Sequence, residues 1–272
     1  MLRQRTVLTL IFLPVIVAVM IVGGWLFTVG VSLVLALASY EYAEMYAREG
    51  LRPSRVLLLA GVVVLSLTRQ TSGFVGAPLL LTILILAAMA WHLVDFERGA
   101  VHSGTDFALT VTGMLYIGWL GSFLVSLRTL PEGKFWLSIA LPSIWFADTG
   151  AYLIGSAIGH HKLVPRLSPK KSWEGYLAGI VTGTLAGWGL AVWLGQLAGP
   201  ATELTPAIGV TVGLVVSVLA PLGDLGISMM KRELHLKDTG QRLAGHGGFL
   251  DRIDTWLWAG ALGFYTIILL VP

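Results

Sequence analysis

The chain has 272 residues, of which 56% are hydrophobic and 12% charged, with a formal net charge of +3, and its mean hydropathy is +0.80. Soluble domains carry roughly twice that share of charge, so a water-soluble globular protein is excluded and a bilayer is the solvent that suits the chain. It has no cysteine, which excludes disulfides, thiolate metal sites and thiol nucleophiles.

A short basic start, with Arg3 and Arg5, opens onto an apolar run from Thr6 to Tyr40. Secretory signals share this outline, but the run is too long and offers no good small-residue cleavage site. It divides near Gly23-Gly24 into spans over 7–22 and 25–46. Glu41 and Glu44, among Tyr40, Tyr42 and Tyr46, are read as marking a membrane–water interface. Arg48 to Arg55 is a basic loop, and Pro53 suits the first turn of the next helix. Val56 to Thr68 is short for a span, which needs about 20 apolar residues; Ala77 to Val94 fits better. A polar segment from Asp95 to Asp106 precedes a span over 107–127. The turn at 128–134 leads to another span, 135–158, with Asp148 in its midst. A loop rich in bases covers 159–175. Spans at 176–197 and 206–222 precede a polar loop, 223–254, and a last span, 255–271, follows. The expectation is an all-α, polytopic integral membrane protein of about nine helices. It is read as a single membrane domain, 1–272, with a hydrophobic half (1–134) and a half carrying the polar motifs (135–272).

Alternation of spans puts the N-terminus and the loops at 47–55, 95–106, 159–175 and 223–254 on one side. These hold Arg48, Arg52, Arg55, Arg98, Lys162, Arg166, Lys170, Lys171 and five bases of the last loop, whereas the other side keeps Arg69, Arg128 and Lys134. The positive-inside bias makes the rich side cytoplasmic, the compartment of nucleotides and Mg²⁺.

The chemistry-bearing residues lie on that side. Asp224 ends one span, and Asp251 and Asp254 begin the next; Asp251 and Asp254, three apart, share a helical face. They are either a salt-bridged helix end or carboxylates for a hard cation, since Mg²⁺ takes one or two carboxylates plus substrate phosphates. Asp148, inside an apolar segment, faces a polar cavity or hydrogen-bonds a neighbouring helix. Lys170 and Lys171 stand just before a helix whose first amides attract anions; plain membrane anchoring is the other reading. Ser228 and Lys231-Arg232, one turn apart, form a candidate phosphate clamp. Gly245-His246-Gly247-Gly248 is a loop whose bare backbone can approach a ligand, with His246 structural or catalytic. There is no GxxxxGK[ST] loop and no GxSxG elbow.

These blocks resemble the phosphatidate cytidylyltransferases (CDP-diacylglycerol synthases). The signature of that family runs Ser-x-apolar-Lys-Arg, four residues, Lys-Asp-x-small, two residues, apolar, then x-x-His-Gly-Gly-apolar-x-Asp-Arg-apolar-Asp. Ser228, Met230, Lys231, Arg232, Lys237, Asp238, Gly240, Leu243, His246, Gly247, Gly248, Phe249, Asp251, Arg252, Ile253 and Asp254 match it. Asp148-Thr149-Gly150-Ala151-Tyr152, the run from Ser168 to Gly175, and Gly223-Asp224-Leu225 are further blocks of the same kind. The chain departs from the pattern at Ala244, where proline is usual, and at Ile227, where glutamate is frequent.

The resemblance implies attack of the phosphate of phosphatidic acid on the α-phosphorus of CTP, giving CDP-diacylglycerol and pyrophosphate in phospholipid biosynthesis. It implies Mg²⁺ at Asp224, Asp251 and Asp254, and admits K⁺ beside it. Lys170, Lys171, Lys231, Arg232, Asp238, His246 and Arg252 fall to the catalytic set. Asp148, Ser168, Ser228, Lys237, Gly247 and Gly248 fall to substrate binding. The site is expected on the cytoplasmic side of the inner membrane, with no nucleic-acid partner, and a homodimer is left open. Two rivals remain: a CTP-dependent polyprenol or phytol kinase, and a secondary transporter with Asp148 in an ion path.

Overall fold

The computed structural model describes residues 14–240 and 247–271. Among them, eight helices are long and apolar enough to cross a membrane, so the chain is an all-α multi-pass membrane protein. The expected ninth span, 7–22, begins outside the described residues, as do Arg3, Arg5, Arg242 and His246; its remainder, 14–22, is helical and is called α1. The chain forms two compact units. One takes the described residues to Thr129 with Glu233–Ile253, and the other takes Leu130–Arg232 with the residues from Asp254 onward.

The first unit contains α1, α2 (Gly24–Ala47), α3 (Arg55–Ser72), α4 (Ala77–Glu97), α5 (Ser103–Gly113) and α6 (Leu120–Thr129). The break at Gly23, where φ is +70°, separates α1 from α2 as the glycine pair implies. The Arg128 guanidinium donates to the carbonyls of Met20 (2.6 Å) and Ile21 (2.8 Å) at that break. α5 and α6 are one span joined by a π-helical turn, Met114–Trp119. Val56 to Thr68, short in sequence, is the heart of an 18-residue helix. Ser54 caps it, its hydroxyl accepting from the Leu57 N–H. At its other end the buried Arg69 donates to Ser122 Oγ (3.1 Å) and lies over Phe74 (3.7 Å), Trp119 (4.1 Å) and Phe123 (5.0 Å). The core here is Leu35, Tyr42, Leu58, Leu65, Met114, Ile117 and Leu127.

The second unit contains α7 (Gly133–Ile158), β1 (Lys162–Val164), β2 (Ser168–Ser172), α8 (Trp173–Ala198), α9 (Pro206–Leu219), α10 (Pro221–Glu233, to Arg232) and most of α11 (Leu250–Leu270). Gly175, Gly179, Gly183 and Gly187 repeat every four residues and form the buried stripe of α8. Without side chains there, the backbones of α7 and α9 come close: a Cβ at Gly179 would meet Ala147 O at 2.8 Å, and one at Gly187 would meet Gly213 Cα at 2.9 Å.

Two expectations are corrected. The segment 159–175 is not an open loop but an antiparallel hairpin, pairing Lys162 with Ser172 and Val164 with Ser168. The segment 223–254 is not a loop throughout: α10 continues the apolar α9 after one bend, with Pro221 at the start of the new helix, where its missing N–H is harmless.

Candidate active site

In the second unit the hairpin delivers Lys171 to α10. Lys171 Nζ donates to Asp224 Oδ2 at 2.5 Å, and Ser228, one turn on, donates to Asp224 Oδ1 at 3.3 Å. Both partners of the ion pair are about one-third exposed, so the pair is neither sealed in the core nor loose on the surface. Side chains alternate along a strand: Lys171 faces Asp224, while its neighbour Lys170 is exposed. Asp148, on α7, lies within electrostatic range of Lys171 and Asp224. It is exposed from the protein, and it is the one carboxylate of α7. Gly150 makes room beside it for Thr182, whose hydroxyl donates to the Phe146 carbonyl at 3.0 Å.

The backbone of Asp254, on α11, packs against α10 at Gly223. A Cβ on Gly223 would run into the Asp254 carbonyl oxygen and reach Trp258 Cδ1 at 2.7 Å. The glycine immediately before Asp224 therefore lets α10 lie directly on the first turns of α11. Asp254 is buried, and its Oδ1 accepts from the Thr255 N–H at 2.7 Å. Lys231 is buried and Arg232 exposed on the same helix as Asp224. Arg232 Nε reaches the Leu167 carbonyl, between the two strands, at 3.4 Å.

The hairpin is held at both ends. Ser172 caps α8, accepting from the Gly175 N–H at 3.2 Å, and the Trp173 N–H donates to the His161 carbonyl at 2.9 Å. Glu174 accepts from the His161 backbone N–H at 3.1 Å and lies 2.6 Å from His161 Nδ1. Sequence reasoning passed over this His161–Glu174 clasp. Ser168 begins β2, at the turn end of the hairpin, opposite Val164.

In the first unit two described residues of the motif region, Thr239 and Gly248, enclose Asp251. Its Oδ2 accepts from the Thr239 N–H (2.9 Å), the Thr239 hydroxyl (3.0 Å) and the Gly248 N–H (3.1 Å). Gly247 has φ +78°, and a Cβ there would sit 3.1 Å from Asp251 Oδ2 and 3.6 Å from Asp238 Oδ1. Lys237, Asp238 and Arg252 are exposed around this turn. His246 lies outside the described residues.

Glu41 corrects an earlier reading. It does not mark a wet interface: it is 1% exposed. Its Oε2 accepts from the Leu250 N–H at 3.1 Å and lies 3.4 Å from the Thr239 hydroxyl. Its position inside α2, with six further helical residues after it, was the available signal.

The arrangement suits phosphate chemistry. The Lys171 ammonium pairs with the Asp224 carboxylate, and Lys231 and Arg232 follow on the same helix. Among the described residues no three His, Asp or Glu groups form a ready cation cage, and a Mg²⁺ completed by substrate phosphates needs only one or two carboxylates. Asp224 fits such an ion: it is a partly exposed oxygen donor that already holds one cation, the Lys171 ammonium.

A model of the cytidylyltransferase family matches residues 3–270. A protein of Synechocystis sp. named phosphatidate cytidylyltransferase is 32% identical, over 99% of this chain and 97% of its own length. One of Mycobacterium bovis with the same name is 30% identical, over 100% and 89%. Another, of Staphylococcus aureus, is 28% identical, over 94% and 95%.

Proposed function

Since the chain belongs to the cytidylyltransferase family, we propose that it is a nucleotidyltransferase moving the cytidylyl group of CTP onto phosphatidic acid within the bilayer. A phosphate oxygen of the lipid attacks the α-phosphorus of CTP. The new P–O bond joins the two phosphates, the bond from the α-phosphorus to the bridging oxygen breaks, and pyrophosphate leaves with that electron pair. CDP-diacylglycerol stays in the membrane. The attacking oxygen is already anionic, so the reaction needs no covalent enzyme intermediate and no base to strip a proton. What the protein supplies is positioning and charge.

The observation that carries the site is the Lys171–Asp224–Ser228 cluster. Lys171 holds and orients Asp224 before substrate arrives and offers its ammonium to a phosphate. Lys231 and Arg232, on the same helix, add positive charge for the triphosphate and the leaving pyrophosphate. Asp224 and Asp254 are the residues that would hold Mg²⁺, with Asp251 one turn before Asp254 on α11. When bound, Mg²⁺ neutralises nucleotide phosphate oxygens. The basic hairpin and the basic loops between helices support a cytoplasmic site in the inner membrane by the positive-inside bias.

The test is Asp224→Asn, which keeps the size and the Ser228 contact but removes the charge. In detergent with CTP, phosphatidate and Mg²⁺, CDP-diacylglycerol formation is expected to fall by about 10²-fold or more, read by lipid mass analysis. Full activity in Asp224→Asn would refute the assignment.

A further inference from the structure

Glu41 belongs to no part of the reaction described above, yet it is a carboxylate with 1% exposure on a membrane helix. An ionised group buried in an apolar span is costly and is retained for function. Its partners explain the retention. Leu250 is the first residue of α11, and its N–H donates to Glu41 Oε2 at 3.1 Å. The carboxylate thus sits at a helix N-terminus, where the dipole and the unpaired amides favour negative charge. The Thr239 hydroxyl lies 3.4 Å from Glu41 Oε2 and 3.0 Å from Asp251 Oδ2, so one hydroxyl stands between two carboxylates. Two glycines close the fit. A Cβ on Gly240 would come within 2.7 Å of Glu41 Oε1, and one on Gly248 would collide with Glu41 Oε2 and Thr239 Oγ1.

We propose that Glu41 is a positioning residue for the transfer reaction: it anchors the first turn of α11 and the Thr239 turn to α2, and so fixes the orientation of Asp251. The signature loop has no regular secondary structure to hold it between Leu236 and Gly240, and α2 supplies the rigid support it lacks. Thr239 is the coupling element, because its backbone and hydroxyl both reach Asp251 while its hydroxyl also faces Glu41. This inference rests on the cytidylyltransferase reading only for its kinetic arm.

The experiment compares Glu41→Ala, Glu41→Gln and Thr239→Val with the unaltered full chain. Peptide-level hydrogen exchange without substrate or metal is read alongside kcat, KM for CTP and thermal stability. Glu41→Ala is expected to speed exchange over 238–252 while leaving α5 and α8 unchanged. It is expected to lower kcat on the order of tenfold, as loss of an outer-shell support does, with a smaller change in KM. Gln keeps one acceptor for the Leu250 N–H, so Glu41→Gln is expected to recover part of the loss, and Thr239→Val to resemble Glu41→Ala. If Glu41→Ala fails to fold, Glu41→Gln and Thr239→Val carry the comparison. Unchanged exchange over 238–252, or exchange raised equally everywhere with kcat kept per folded molecule, would overturn the proposal. An unaltered protein inactive with CTP and phosphatidate would sink the functional reading while leaving the exchange arm standing.

Discussion

At the level of single residues, the site is a set of charges whose neighbours decide their use. Lys170 and Lys171 are chemically identical and adjacent, and both read as phosphate ligands in the sequence. Pairing in β2 separates them: Lys171 meets Asp224 and Lys170 is exposed. Lys171→Met is therefore expected to cut the rate of CDP-diacylglycerol formation by about 10²-fold, the loss typical of one aimed charge donor. Lys170→Met is expected to cost several-fold at most, and equal losses would contradict the strand assignment. The buried contact that sequence reasoning overlooked joins residues distant along the chain. Glu41 meets Thr239 and Leu250 about 200 residues later, and no local pattern encodes that contact. Thr239 sat at an unmatched position of the motif, so nothing in the motif itself marked it.

At the level of elements, the membrane helices were legible because hydropathy over about 20 residues is set by the bilayer alone. Even the short run at 56–68 belongs to a full helix, its polar end residue Arg69 being absorbed by Ser122 and three aromatic rings. The hairpin was not legible. Strands of three and five residues, one reading Ser-Pro-Lys-Lys-Ser, have no apolar alternation to announce them. Nor was α10, because its polar sequence resembled a loop although Pro221 is a good first helical residue. The glycine stripe of α8 is where an element-level test has a clear sign. A side chain at Gly183 would collide with Ser217 Oγ and come within 2.9 Å of the Ser143 carbonyl. Gly183→Leu must push α8 away from α7 and α9. Its thermal midpoint in detergent is expected to fall by roughly 5 °C, and an unchanged midpoint would show that these helices tolerate a wider spacing.

For the molecule as a whole, an apolar composition with charge gathered into a few segments announced a membrane protein with a polar end, and the motif resemblance added the enzyme. The sixteen motif positions quoted from Ser228 to Asp254 carried the resemblance, and the described ones fall on or beside two helices. α10 holds Asp224, Ser228, Lys231 and Arg232 on one short helix, and α11 opens with Asp251 and Asp254 one turn apart. The Lys171–Asp224–Ser228 cluster of the second unit suits the proposed displacement at a phosphorus, with the lipid as nucleophile. The decisive measurement follows the isotope rather than the rate. The purified, unaltered chain in liposomes containing phosphatidate is given Mg²⁺ and CTP labelled at either the α- or the γ-phosphorus. The α-label is expected in the lipid fraction and the γ-label in soluble pyrophosphate. A γ-label in the lipid would mean a phosphoryl-transferring kinase, and solute flux with no labelled lipid would mean a transporter; either result would contradict cytidylyl transfer.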